Sequence, residues 1–238
     1  MTMKKVRLML CMIAALACSC ATTGEGPLEK SDRIVFLGDS ITEAGVQPKG
    51  YVTLTSNAIA AAYPDLGVEV IGAGISGHKV RDCLKRMDRD VLEKDPTIVL
   101  IYIGINDVWW WNGNWGKGTT KPDFEAGLHK MIEQIDAVGA RVILCTPTVI
   151  GEKADGTNEY DAMLDEYSEI SRKVASATNS QMLDLRQHFL SYLKQHNPEN
   201  LERGVLTSDG VHLNETGNAF LSGLVLDALH VVSHEPMP

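Results

Sequence analysis

The sequence predicts an α/β chain, a parallel sheet with helices on both faces, and three observations carry that prediction. Five short apolar runs alternate with longer stretches of helical periodicity. The runs are continuously apolar and rich in β-branched residues, as strands buried on both faces are. The 238 residues, 44% hydrophobic and 22% charged, suit one soluble core and show no internal repeat.

The first strand is expected over 33–37, where Ile34-Val-Phe-Leu37 contains no breaker, and Gly38 then permits a sharp turn. The second, over 68–72, runs into the glycine-rich turn Gly72-Ala-Gly-Ile-Ser-Gly77. The third, over 97–103, is the most apolar and ends at Gly104-Ile-Asn-Asp107; the fourth and fifth fall at 141–145 and 181–185. Helical stretches are expected at 50–63, 78–93, 123–138, 160–178, 186–196 and 214–231. Right-handed crossovers between parallel strands limit the topologies open to such an alternation.

The N-terminus has a different character. Lys4, Lys5 and Arg7 precede the apolar stretch 8–17, the pattern of a secretory signal too short to span a membrane. Ala15-Leu-Ala-Cys-Ser-Cys20 resembles a bacterial lipoprotein processing site, so export with a lipid on Cys18 or Cys20 is expected, and cleavage after Ala21 without lipid is the competing outcome. Residues 1–20 are thus read as signal, 21–32 as spacer and 33–238 as a single domain. Losing Lys4, Lys5 and Arg7, and no acidic residue, takes the formal charge from −9 to −12, three cations fewer. Such an acidic surface disfavours nucleic acid and anionic membrane as partners. Cys83 and Cys145 remain in the domain; a buried free thiol is the default for Cys145, and export leaves a disulfide open. No Cys or His cluster has metal-ligand spacing, so neither metal nor cofactor is expected.

Ser40 stands just beyond the carboxyl end of the first strand, the edge at which open parallel sheets bind ligands. A serine hydroxyl needs a base to become a nucleophile. Asp209 and His212, three apart around Gly210, can set a carboxylate against an imidazole and leave Nε2 to face Ser40. Alone, Asp-x-x-His also reads as a helix cap beside a surface histidine; the serine at the strand end shifts the balance. Negative charge on an attacked carbonyl needs donors, and Gly74 N–H and the Asn106 side chain lie at the ends of the second and third strands. Either residue by itself is ordinary turn chemistry.

Gly38-Asp-Ser-Ile41, Gly74, Gly104-Ile-Asn-Asp107 and Asp209-Gly-Val-His212 resemble, in order and spacing, the four blocks of the SGNH (GDSL-type) hydrolases over about 33–229. The resemblance implies a flavodoxin-like α/β/α sandwich with strand order 2-1-3-4-5. It implies Ser40 as nucleophile, His212 as base, Asp209 as its orienting carboxylate, and Ser40 N–H, Gly74 N–H and Asn106 as oxyanion donors. Many members carry Asn where this chain has Gly72.

Trp109-Trp-Trp-Asn-Gly-Asn-Trp115 is read as a shaped loop over the site, its rings either contacting substrate or packing the loop onto the domain; Trp109, Trp110 and Trp111 are candidate substrate contacts beside Asp39 and His78. Thr146 and Glu152 are further candidates, on another wall formed by the segment after the fourth strand. The expected activity is an exported serine esterase removing acetyl groups, from carbohydrate for preference. A lipid-directed acylhydrolase is the alternative, and a non-catalytic glycan-binding protein is a third reading that an intact triad opposes.

Overall fold

A computed structural model describes residues 26–111 and 117–231. Five strands form one parallel sheet in the order β2-β1-β3-β4-β5: β1 Arg33–Gly38, β2 Glu69–Gly74, β3 Ile98–Tyr102, β4 Arg141–Cys145 and β5 Gln181–Leu183. The side chains of Ile34–Leu37 and Ile98–Tyr102 are almost wholly buried, which is why both runs are apolar at every position rather than at alternate ones.

The helices are α1 Ser40–Gly45, α2 Tyr51–Ala62, α3 Val80–Leu84, α4 Met87–Asp90, α5 Ile105–Trp109, α6 Lys121–Ala137, α7 Asp161–Thr178, α8 Leu185–His196 and α9 Glu215–Ala228, with a 3₁₀ turn at Leu92–Lys94. On one face α2 meets α9, where Thr55 Oγ1 and Ser222 Oγ lie 3.0 Å apart, and α8 joins them through Phe189 against Phe220. On the other, α6 lies between α3 and α7, with Phe124 and Tyr167 ring centroids 5.0 Å apart. Helices on both faces of the sheet give the three-layer α/β/α architecture.

Three expectations require correction. The single helix expected over 78–93 is broken into α3, α4 and the 3₁₀ turn. The break falls at Arg86, whose buried guanidinium turns inward and donates to Gly38 O and Ala73 O at 2.8 Å, closing the carboxyl ends of β1 and β2. The segment after Gly104 is helical as far as Trp109, because α5 begins inside the Gly-Ile-Asn-Asp block. The end of the spacer belongs to the domain: Leu28 packs on the core, and Asp32 accepts from Thr97 Oγ1 at 2.6 Å. Cys83 and Cys145 are buried and unpaired with each other, and burial pushes the Cys83 thiol up to about 12. The signal segment, Cys18, Cys20 and Trp115 lie outside the described residues.

Candidate active site

Ser40 opens α1 at the carboxyl end of β1. Gly38 makes this junction possible, since a Cβ there would stand 2.8 Å from Tyr102 O of the neighbouring strand. Asp39 caps the helix, with Oδ1 accepting from Ile41 N–H at 3.0 Å. It is buried, and burial raises its carboxyl from 3.8 to about 7 against the helix-cap bond, with Asp107 adding to the rise.

The segment leading to α9 carries the base. Ser208 N–H donates to His212 O at 2.8 Å, and Thr207 bridges to Leu213, so residues 207–213 fold into a tight loop. Gly210 takes φ +98° within it, a conformation other residues rarely adopt. Asp209 Oδ1 accepts from the N–H groups of Val211 and His212 at 2.9 and 2.8 Å. Its Oδ2 lies 2.7 Å from His212 Nδ1, and His212 Nε2 lies 2.8 Å from Ser40 Oγ. An ionised carboxylate only accepts, so Nδ1 carries the ring proton and Nε2 is left to accept from the serine hydroxyl. Partial burial raises the Asp209 carboxyl, but the bonds from His212 and Val211 outweigh it and hold the group below its ordinary value. The arrangement can draw a proton from Ser40 Oγ and stabilise the resulting imidazolium.

One side chain read from the sequence as a candidate substrate contact instead holds this loop in place. Glu152, fully buried, accepts from three successive backbone N–H groups, those of Val205, Leu206 and Thr207, at 2.7, 2.7 and 2.5 Å. Gly151 N–H adds a bond to Gly210 O at 2.8 Å. Glu152 is therefore an anchor of the loop rather than a substrate contact. Thr146 is likewise buried, accepting from Arg186 N–H and donating to Asp184. The signal that finds Glu152 in a sequence is weak: an acidic residue between a buried strand and a loop, with its partners some fifty positions away.

Ser40 and His212 open onto a cavity of about 420 Å³. Ser76, Gly77, Asn106, Trp109, Trp110 and Tyr160 line it with them. Asn106 Oδ1 accepts from Trp110 Nε1 at 3.0 Å, and Nδ2 donates to His78 O at 3.1 Å, which leaves one amide hydrogen for a ligand. Trp110 is itself held: the Lys79 ammonium sits 3.9 Å from its ring centroid. Asp107, also buried, receives Val80 N–H at 3.2 Å, and burial lifts its carboxyl to about 6.

The Gly74 expectation is corrected here. Ile75 N–H turns toward β1 and donates to Gly38 O at 3.3 Å, so by strand alternation Gly74 N–H points away from β1, to the free edge of the sheet. Gly74 accordingly lines a separate hollow with Arg86 and Arg89, whereas Gly77, three residues on, faces Ser40's cavity. Asp39 and His78 are not cavity-lining either. Asp39 is buried beneath the nucleophile, and His78 turns its ring to Arg86, with Nδ1 accepting from Nε at 3.1 Å. Burial, with Arg86 beside it, lowers the His78 pKa. Trp111 faces a neighbouring hollow with Lys121, Met163 and Glu166, and its Nε1 donates to Tyr167 Oη at 3.3 Å. Of the expected site residues, the structure brings together Ser40, Asn106, Trp109, Trp110, Asp209 and His212.

Known proteins resemble this chain in sequence and fold. A family model described as "GDSL-like Lipase/Acylhydrolase family" matches residues 36–220. An acetylxylan esterase from Geobacillus stearothermophilus is 33% identical over 208 residues, covering 80% of this chain and 90% of the relative. The isoamyl acetate-hydrolyzing esterase 1 homolog of Rattus norvegicus is 27% identical, covering 86% and 83%. Among solved structures, a crystal structure of an acetyl xylan esterase, AlAXEase, superposes with a TM-score of 0.80 at 43% identity, covering 83% of this chain and 99% of the other.

Proposed function

This chain belongs to the GDSL-like lipase/acylhydrolase family and is a carboxylic ester hydrolase, and we propose that it removes acetyl groups from carbohydrate with Ser40, His212 and Asp209 as its catalytic triad. One observation carries the mechanism: the unbroken chain of 2.8 and 2.7 Å contacts from Ser40 Oγ through His212 to Asp209, at the mouth of one cavity.

Ser40 Oγ attacks the ester carbonyl carbon while its proton passes to His212 Nε2. Asp209 keeps the imidazole in the tautomer that can take that proton, then stabilises the cation. The tetrahedral oxyanion accepts hydrogen bonds from Ser40 N–H, Gly77 N–H and the remaining Asn106 amide hydrogen. Collapse breaks the bond to the sugar oxygen, which leaves with the proton from Nε2. Water then gives a proton to Nε2 and attacks the acetyl-serine, and acetate departs as Ser40 recovers its hydrogen. The indoles of Trp109 and Trp110 offer flat apolar faces to the sugar.

The acetyl and carbohydrate parts draw on the acetylxylan esterase relatives and on a cavity lined by Trp109, Trp110 and Tyr160. Aryl esters of increasing acyl length test the first part: the rate falls steeply beyond two or three carbons, whereas a plateau or rise points to the lipid-directed alternative. Release of acetate from acetylated xylan, mannan and pectin tests the second. Export with a lipid on Cys18 or Cys20 is proposed from the N-terminal sequence alone, and incorporation of labelled fatty acid, lost on substituting both cysteines, tests it.

A further inference from the structure

Proton transfer determines on which side of Ser40 the carbohydrate lies. The leaving sugar oxygen takes its hydrogen from His212 Nε2, so the sugar sits on the His212 side of the nucleophile and the acetyl methyl on the other. On the His212 side is a second cavity of about 380 Å³, which shares Trp109 and Tyr160 with the first. Part of its wall is the loop that holds the imidazole, from Asp209 to Val211. Much of the remainder is polar and includes Lys153 and Glu202. A volume of this order holds a small ligand.

We propose that this second cavity is a sugar subsite, holding the neutral residue next to the acetylated one in an oligosaccharide. The inference rests on the carbohydrate reading above and names where the chain runs. Trp109 and Tyr160 stand between the two cavities, placed to carry the C–H faces of a sugar chain from one to the other. Lys153 Nζ donates to ring or hydroxyl oxygens, and the Glu202 carboxylate accepts from hydroxyl groups. Asn158 also lines the cavity, but its amide is spent on the Lys153 backbone and on Asp161, so it shapes the wall rather than reading the sugar. The carboxylates of Glu202 and Asp209 outnumber the ammonium of Lys153 and favour an uncharged sugar over a uronic acid. The first cavity fixes the ester; the second selects a chain over a monosaccharide.

The test compares kcat/KM on monoacetylated xylotriose and on a monoacetylated methyl xyloside, for the intact chain and for a Lys153→Ala/Glu202→Ala double variant. Taking the ratio of the two substrates on one preparation removes any effect of the folded fraction. The intact chain is expected to prefer the trisaccharide by about tenfold, and the double variant to bring the ratio close to one. A preference that survives in the double variant overturns the subsite. So does equal use of both sugars by the intact chain, an outcome that leaves the carbohydrate reading standing. Hydrolysis of aryl acetate with neither acetylated sugar consumed overturns both.

Discussion

The two halves of the site are held by different means. Ser40 stands at the end of β1, a strand paired on both sides, with β2 and with β3, so its position is set by continuous ladders of backbone bonds. Asp209 and His212 stand on a loop whose position depends on a few point contacts: the Glu152 carboxylate, Gly151 N–H on Gly210 O, and Thr207 Oγ1 receiving Gly210 N–H at 3.0 Å. A ladder loses little when one contact goes. A loop held by separate contacts, three of them to one buried carboxylate, is more sensitive to losing that group. The same 2.8 Å between Ser40 and His212 is thus robust from one side and fragile from the other.

The largest expected effect comes from the robust side. Ser40→Ala should lower kcat by about 10⁵- to 10⁶-fold. It should leave the melting temperature almost unchanged, because the hydroxyl's one bond is to His212 and the ladder is untouched. Kinetics and a thermal melt on one preparation check both halves, and a large loss of stability would break the contrast. Asp209→Asn should cost about 10⁴-fold in kcat, since an amide facing Nδ1 favours the wrong ring tautomer. Retention of most activity would show that the loop backbone alone orients the imidazole.

Glu152→Gln probes the fragile side directly. The amide keeps one acceptor but sets an N–H₂ against donors, at a cost of about 1–3 kcal/mol. A displaced His212 should also lower kcat by about ten- to a hundredfold per folded molecule. Active-site titration separates the two effects: a wild-type rate per titrated serine would make Glu152 a stability residue only.

The smallest effect concerns the acid beneath the nucleophile. Burial raises Asp39 from 3.8 to about 7, so the folded protein binds a proton that the unfolded chain has released across that window. The stability this group contributes is fully present below about 3.8 and is lost as pH rises through about 7. Asp39→Asn, which keeps a capping oxygen, should flatten the decline of melting temperature over that range. An unchanged slope would show that Asp39 is not its source.

What could be read from the chain divides along similar lines. Ser40, Asn106, Asp209 and His212 were legible because strand-end position and a three-residue spacing are local properties. The sheet order was legible through family likeness, and the strands through apolar runs that hide no alternation. Gly74 was preferred to Gly77 because both lie in one glycine-rich stretch, and which N–H faces the crevice depends on strand alternation and on the turn that follows. The broken helix after Lys79 was missed because Arg86 reads as a solvated position until its partners, the carbonyls of two strand ends, are in view. Glu152 was read as a candidate substrate contact for the same reason: its partners lie more than fifty residues away along the chain.

The most direct test of the account is covalent labelling with a serine-directed fluorophosphonate, followed by mass-spectrometric mapping of the adduct. The account predicts one adduct per chain, on Ser40, formed in step with loss of esterase activity and strongly slowed in His212→Ala. Activity abolished with Ser40 unmodified, or an adduct at Ser40 with activity intact, would contradict it.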